Sequence, residues 1–225
     1  MLRAAVLASG NGTNFQALHD ACASGYAPAE IVCVITNKKD ARVVERANAA
    51  GVEVVAVRHK DRDVEEVDEV ILRALDARAV DAVFYAGYMR IRGPAFAKAL
   101  EERVFNVHPS LLPAFPGAHP IQDAWDWGVK VSGVTVHYAT EDLDMGPIIL
   151  QRAVEVAADD TLASFENKIH LMEYVLYPKV LKLQAEGLLR IEGRTVVIER
   201  DVGDPPWSGK LPPGLTGSTQ GSSAK

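Results

Sequence analysis

The sequence predicts an α/β fold whose mostly parallel sheet carries helices on both faces and has an antiparallel C-terminal part. In the first half of the chain, short apolar or β-branched runs alternate with stretches of helical spacing. Strands joined through helices pair in parallel and are covered on both faces. After residue 130, two strand-like runs follow each other with no helix between them, which predicts antiparallel pairing.

Glycine and proline mark the ends of the predicted helices. Gly25 and Gly51 follow helical stretches as C-terminal stops, and Pro94 opens another helix. The strands predicted in the parallel part are residues 4–9, 30–36, 52–57, 81–87 and 103–108. The helices predicted there are residues 14–25, 41–51, 63–79 and 94–102.

The second half departs from this rhythm. Residues 131–139 and 147–156 are the predicted antiparallel strands, and residues 188–199 predict a hairpin. Between them a long helix over residues 161–187 contains Pro178, where a bend is expected. Residues 201–225 are rich in Pro, Gly and Ser, which predicts a loose tail.

Length, composition and charge limit the classes of function that this protein can have. The 225 residues, 48% of them hydrophobic, suit one domain with a core large enough to fold alone. The net charge of −6 argues against a nucleic-acid partner. The two cysteines, Cys22 and Cys33, fit free cytosolic thiols better than a disulfide framework. We expect no membrane span and no signal peptide, because the apolar runs are too short.

The stretch ASGNGTN, residues 8–14, is the first candidate site. A strand ends, two glycines follow, and a helix begins. Glycine allows close backbone approach, and a helix N-terminus attracts anions; Thr13 could add a hydroxyl and Asn14 an amide. A phosphate monoester fits, because the third glycine of a dinucleotide site and the lysine of a Walker loop are missing. A tight turn without a ligand is the alternative.

The stretch NVHPSLLPAFPGAHP, residues 106–120, is the second candidate site. The period of a strand places Asn106 and His108 on one face, at the carboxyl end where open α/β sheets bind ligands. An amide and an imidazole together can donate to an oxyanion or move a proton, and the prolines stiffen the loop that follows. The alternative is a capped strand end with a solvated histidine.

A third stretch, TEDLDMGPI at residues 140–148, places three acids within residues 141–144. One carboxylate near His108 would favour the imidazolium form and orient the ring. Two alternatives stay open at this point. The stretch could be a surface turn, or it could bind Ca²⁺ or Mg²⁺, although its spacing does not match an EF-hand.

Five motifs occur in a characteristic order: GNGTN, GYMRI, FNVHPSLLPAFPG, DLDMGPII and MEYVLYP. In this order they resemble the phosphoribosylglycinamide formyltransferases, which are folate-dependent enzymes of purine synthesis. The resemblance implies a Rossmann-like formyltransferase fold, with a single formyltransferase domain over residues 1–200 and a C-terminal tail over residues 201–225. It implies transfer of a formyl group from the co-substrate 10-formyltetrahydrofolate to the amine of glycinamide ribonucleotide, with no metal.

The resemblance also implies residue roles. Asn106, His108 and Asp144 match the catalytic trio of the family. The residues matching its phosphate loop are Gly12, Thr13 and Asn14. Glu173 matches a carboxylate that contacts the nucleotide through ribose hydroxyls, and His170 lies on the same helix face.

The folate pocket is implied by two further stretches. Its walls would be Met89, Arg90, Ile91 and Arg92 on one side and Thr140, Glu141, Asp142 and Leu143 on the other. Ordinary core packing is the alternative for Met89 and Ile91. Relatives hold the folate tail with a Ser-Arg-Glu motif; this chain reads RHKDRDVEE there, and Arg62 is the candidate substitute.

The resemblance implies a cytoplasmic enzyme with two small-molecule substrates and no membrane partner, and it leaves homodimer formation open. Three alternatives remain. A 10-formyltetrahydrofolate hydrolase would share the His and Asp chemistry. A methionyl-tRNA formyltransferase would add a tRNA-binding domain, and a folate- or nucleotide-binding regulator would keep the pocket without catalysis.

Overall fold

The computed structural model of the chain describes residues 1–88 and 93–216. The strands are β1 (Leu2–Leu7), β2 (Ala29–Thr36), β3 (Glu53–Ala56), β4 (Ala82–Tyr85), β5 (Val104–His108), β6 (Val131–Tyr138), β7 (Ile148–Glu155), β8 (Leu189–Glu192) and β9 (Thr195–Ile198). The helices are α1 (Thr13–Ala23), α2 (Arg42–Ala49), α3 (Val64–Asp76), α4 (Pro94–Ala99), α5 (Pro120–Trp127) and α6 (Leu162–Ala185), with a short 3₁₀ turn at Pro213–Leu215.

Within this part of the chain, nine strands form one sheet in the order β3-β2-β1-β4-β5-β6-β7-β9-β8. The pairs from β3 to β5 are parallel. β6 pairs antiparallel with both β5 and β7, and β8 and β9 form an antiparallel hairpin. The predicted fold class, a mostly parallel sheet with an antiparallel C-terminal part, is confirmed.

The two faces of the sheet bury two separate cores, because side chains alternate along a strand. Ala4 and Val6 of β1 belong to the core that includes Phe15 of α1 and residues of α6. Ala5 and Leu7 belong to the other core, with residues of α3 and α4. Fully burying one large apolar side chain contributes about 1.5–3 kcal/mol. Burial of the two cores holds the sheet between its two layers of helices, and this fixes the position of the carboxyl ends of the strands.

Helix α6 crosses the sheet and is joined to the strand ends by one buried tyrosine. Its first turn is closed by a capping box, with Thr161 accepting from the Ser164 amide and Ser164 accepting from the Thr161 amide. Farther along, the Tyr177 hydroxyl bonds the carbonyls of Tyr85 and Phe105, at 2.7 and 2.9 Å. Burial raises the pKa of Tyr177 well above its usual value, so the hydroxyl stays a neutral donor. The end of β4 and the beginning of β5 are thus held to α6.

Helix α5 was not predicted: residues 106–120 were interpreted as a strand end followed by a proline-stiffened loop, and no element was assigned to residues 121–130. Pro120 stands in its first turn, and Gly128 ends it in the left-handed conformation, with φ at 74°. Proline at the start and glycine just past the end are the usual helix signals, so PIQDAWDWG carried enough information to find this helix.

The loose tail expected after residue 200 is wrong for residues 201–216, which pack against the domain. Trp207 and Leu215 are buried, at 5% and 3% exposure. Composition misled here, since two large apolar side chains anchor a segment that is otherwise rich in Pro and Gly. The rest of the expected tail lies outside the described residues, and the domain boundary at residue 200 stays a prediction. Over residues 1–88 and 93–216, no helix combines the length and apolar character needed to cross a membrane.

Candidate active site

A cavity of about 640 Å³ lies at the carboxyl ends of β1, β4 and β5. This is where open α/β sheets bind ligands, and the volume suits a small-molecule site. The residues that line it include Gly10–Asn14, Tyr85–Tyr88, Asn106–Pro109, Thr140–Asp144, His137, His170 and Glu173. The glycine-rich stretch, the stretch that contains Asn106 and His108, and the acidic stretch therefore all contribute to one cavity.

Asn106, His108 and Asp144 come together as expected. Asn106 and His108 lie on one face of β5, and His108 is 4% exposed. The Nδ1 atom of His108 lies 3.5 Å from Oδ2 of Asp144. Asp144 takes a left-handed φ of 56°, which Asp tolerates better than most residues. The Gly117 amide donates to the same Oδ2 at 2.9 Å, so the carboxylate is held by backbone.

Both ring nitrogens of His108 lie close to acceptor oxygens. Nε2 lies 2.8 Å from the Phe115 carbonyl oxygen, which can only accept, so Nε2 carries a proton. Nδ1 faces the Asp144 carboxylate, which also only accepts. With Nε2 engaged by the carbonyl, the Nδ1 side next to Asp144 is the side of the ring that can face a developing oxyanion.

The loop that carries Phe115 is fixed by polar side chains as well as by prolines. The Thr135 hydroxyl donates to the Ser110 carbonyl at 2.7 Å and accepts from the Leu112 amide at 3.0 Å. Gln151 donates to the Leu112 carbonyl at 2.8 Å. The Ser110 hydroxyl contacts the Phe115 carbonyl at 3.3 Å. Side chains from β6 and β7 thus hold the carbonyl that orients His108.

His137 lies in the same site, and the sequence analysis missed it. Its Nδ1 donates to the Tyr138 carbonyl at 2.8 Å, which leaves Nε2 to accept from the Asn106 amide at 3.1 Å. Burial first, and then the charge of His108, lower the pKa of His137, although Tyr138 and Asp144 oppose this. A neutral His137 therefore orients Asn106. The pairing of Asn106 opposite His137 in the β5–β6 register was the signal that could have found it.

The phosphate-loop candidates sit where α1 begins. Gly12 has a φ of 73°, and a Cβ added there would lie 2.7 Å from both backbone and side chain of Val43. The Arg46 guanidinium donates to the Asn11 carbonyl at 2.9 Å, which ties the loop to α2. Thr13 and Asn14 line the cavity. The loop therefore requires glycine for a physical reason, and it offers a helix N-terminus to the cavity.

Glu173 lies at the same end of the cavity. It is 4% exposed, and its Oε2 accepts from the Asn14 amide at 3.0 Å. Nδ1 of His170 lies 3.0 Å from the same oxygen, and its Nε2 lies 3.6 Å from Glu166. Burial alone would lower the pKa of His170, but the bond to Glu173 and the charges of both glutamates raise it. The site therefore favours the charged form of His170, which together with the Asn14 amide faces a buried carboxylate.

The folate candidates divide into three groups. Thr140, Glu141, Asp142 and Leu143 all line the cavity. Arg62 is exposed and is not among the lining residues. Met89, Arg90, Ile91 and Arg92 lie outside the described residues. In the part of the chain that the structure describes, no cluster of His, Cys, Asp and Glu side chains is arranged to hold a metal ion.

Comparisons with known proteins agree with this geometry. A family model described as formyl transferase matches residues 2–181. The phosphoribosylglycinamide formyltransferase of Haemophilus influenzae is 39% identical over 200 residues, which cover 88% of this chain and 94% of the relative. That of Bacillus subtilis is also 39% identical, over 81% of this chain and 94% of the relative.

Solved structures agree as well. The glycinamide ribonucleotide transformylase 1 of Symbiobacterium toebii has a TM-score of 0.86 at 43% identity, covering 89% of this chain and 95% of that one. A formyltetrahydrofolate deformylase of Pseudomonas syringae has a TM-score of 0.82 at 28% identity, but the match covers only 66% of that longer chain. The resemblance found in the motifs is confirmed, and the chain belongs to the formyl transferase family.

Proposed function

We propose that this protein transfers the formyl group of 10-formyltetrahydrofolate to the amine of glycinamide ribonucleotide, a step of purine biosynthesis. Its membership of the family and relatives named phosphoribosylglycinamide formyltransferase support this function. One observation carries it in the chain itself. The side chains of Asn106, His108 and Asp144 line one cavity together with the loop at the start of α1.

The ribonucleotide is proposed to occupy the end of the cavity beside α1. Its phosphate would accept from the amides of Gly12, Thr13 and Asn14, because these groups open a helix and lack partners within it. The buried carboxylate of Glu173 would accept from ribose hydroxyls. His170 beside it, whose pKa is raised by Glu173 and Glu166, would in its charged form add positive charge near the phosphate.

The folate is proposed to occupy the opposite part of the cavity. Residues 140–143 form one wall, and their backbone groups can read the edge of a pterin. Residues 89–92 are proposed as the second wall. Arg62 is proposed to meet the acidic tail of the folate, which its exposure on the surface would allow.

The proposed reaction begins when the amine attacks the formyl carbon. The carbonyl oxygen becomes an oxyanion, which the His108 imidazolium and the Asn106 amide stabilise by donating hydrogen bonds. The new C–N bond is then kept while the bond to the folate nitrogen breaks, and that nitrogen takes a proton from His108. Asp144 helps to take up the proton that the amine loses. One such oxyanion donor is typically worth about 3–4 kcal/mol of barrier.

A hydrolase is the second candidate, because the same trio could activate water in place of the amine, and a deformylase shares the fold. Incubation with a 10-formyl folate, with and without glycinamide ribonucleotide, separates the candidates. A transferase loses formyl folate only when the ribonucleotide is present. Equal loss without the ribonucleotide would identify a hydrolase, and binding of both ligands without turnover would identify a regulator.

We also propose that the protein is cytoplasmic, in keeping with the two free cysteines, Cys22 and Cys33. Cell fractionation tests this location. We further propose that the protein forms a homodimer. Sedimentation velocity across a range of protein concentrations tests this.

A further inference from the structure

The segment of residues 201–216, here called the strap, runs over α6 and α1 and supplies a hydrogen bond that α6 cannot make for itself. In an α-helix the carbonyl of Tyr174 would accept from the amide four residues later. That residue is Pro178, which has no N–H. The indole Nε1 of Trp207 donates to the Tyr174 carbonyl at 2.9 Å instead. A buried carbonyl that would otherwise lack a partner is thus satisfied from the strap.

The strap is anchored on α1 as well. The Gly214 amide donates to Asp20 Oδ2 at 2.7 Å, and Gln16 donates to the other carboxylate oxygen at 2.9 Å. Leu215 is buried in a small cluster with Ala17 of α1 and Tyr174 of α6. The strap therefore contacts both helices that carry the proposed ribonucleotide residues.

A third anchor fixes the beginning of the strap. Asp204 accepts from the Arg152 guanidinium through both of its oxygens, at 2.8 and 3.0 Å. Lys179 of α6 lies 3.2 Å from Asp204 and 2.7 Å from Asp201. The bonds from Arg152 and Lys179 lower the pKa of Asp204 to about 2, although burial opposes them. The strap thus stays charged and attached at neutral pH.

Tyr174 links these anchors to the cavity. It follows Glu173 directly in α6, and its ring stacks on His170 with 6.4 Å between centroids. Burial raises the pKa of Tyr174, and the neighbouring Thr13 side chain opposes this rise. A shift of the Tyr174 turn would move Glu173 and His170 relative to Thr13 and Asn14.

We infer that Trp207 is a positioning residue for the ribonucleotide: by bonding the Tyr174 carbonyl at the gap left by Pro178, it holds the α6 turn with His170 and Glu173 against the start of α1. This inference rests on the proposed function. No residue of the strap is among those that line the cavity. The strap therefore acts through α6 and α1, which carry the proposed ribonucleotide residues, and its role is in the affinity for that substrate only.

The decisive variant is Trp207→Phe, which keeps an aromatic ring and removes the indole N–H. We expect the KM for the ribonucleotide to rise about three- to tenfold, the range set by one lost hydrogen bond, with kcat and the folate KM unchanged. The double variant Trp207→Phe with Pro178→Ala restores an N–H four residues after Tyr174. It should bring the KM for the ribonucleotide back toward that of the Pro178→Ala single variant.

The control is Ile71→Val in α3, which removes a buried methylene group from the other core. It should lower thermal stability without changing the ratio of the ribonucleotide KM to the folate KM. An unchanged ribonucleotide KM in Trp207→Phe, equal rises in both KM values, or no recovery in the double variant would overturn the inference. Wild-type protein that turns over without the ribonucleotide would overturn the proposed function instead, so the two failures are distinguishable.

Discussion

His108 and Asp144 lie in contact inside the cavity, with 3.5 Å between Nδ1 and Oδ2 and side-chain exposures of 5% and 4%. A buried carboxylate beside an imidazole favours the charged ring, since the two charges compensate each other away from water. The opposite ring nitrogen donates to the Phe115 carbonyl. The ring is thus held in a fixed orientation, and its Nδ1 side, next to Asp144, is the one left to face a substrate oxyanion.

Replacing His108 should therefore remove a group that acts only on the way through the transition state. His108→Ala is expected to lower kcat about 10²–10³-fold while both KM values change little. The exposed His119, which lies outside the cavity lining, provides the control: His119→Ala should keep the native kcat. Steady-state kinetics on both variants checks this, and a near-native kcat for His108→Ala would contradict the proposed mechanism.

Asp144→Asn keeps the shape of the side chain and removes its charge. Without the carboxylate, the ring of His108 loses the partner that favours its second proton, so kcat should fall while ribonucleotide binding is kept. Titration calorimetry with the ribonucleotide gives the affinity, and single-turnover rates give the chemistry. If the affinity collapsed and the rate were kept, Asp144 would belong to the binding site and not to the catalytic trio.

Gly12→Ala tests the loop at the start of α1 against a matched control. Gly12 and Gly25 have nearly the same φ, 73° and 74°, so alanine costs similar backbone strain at both, about 1–2 kcal/mol. At Gly25 a Cβ would have no heavy atom within 4 Å, whereas at Gly12 it would meet Val43 at 2.7 Å. We expect Gly12→Ala to raise the ribonucleotide KM at least about tenfold, and Gly25→Ala to leave it unchanged. Equal weakening of folate and ribonucleotide in Gly12→Ala would show that this loop does not hold the phosphate.

His170 should make stability depend on pH. Its pKa in the folded protein is raised above the unfolded value, so its contribution is fully present below about pH 6.5 and is lost as the pH rises through the folded value. The free energy of unfolding in urea should therefore differ more between the native protein and His170→Gln at acidic pH, and this difference should shrink above neutrality. A difference that grows with pH would mean that Glu173 and Glu166 do not stabilise the charged ring.

His137 should behave in the opposite way. Its lowered pKa means that the folded protein favours the neutral ring, and this contribution is present above the unfolded value and lost as the pH falls. Nitrogen-15 NMR should find the proton on Nδ1 at neutral pH and a midpoint below about 6.5. A midpoint above that value would remove the reason for the orientation of Asn106.

Sequence patterns predicted the parts of the site that depend on local structure, but not the parts that depend on packing between elements. The period of β5 placed Asn106 and His108 together, and the glycines at residues 10 and 12 marked the loop before α1. His137 became visible only through the register of β6 on β5, which one strand alone does not specify. The strap was missed because its Pro- and Gly-rich composition predicts a loose tail, whereas its anchor, the bond from Trp207 to the Tyr174 carbonyl, depends on tertiary packing.

The destination of the formyl group tests the central claim most directly. The protein is incubated with 10-formyltetrahydrofolate that carries an isotope-labelled formyl group, together with glycinamide ribonucleotide, and the products are separated and followed by NMR. The proposed function predicts that the label leaves the folate only when the ribonucleotide is present and appears in a new formamide on its amine. Label released as free formate, at the same rate with and without the ribonucleotide, would contradict it.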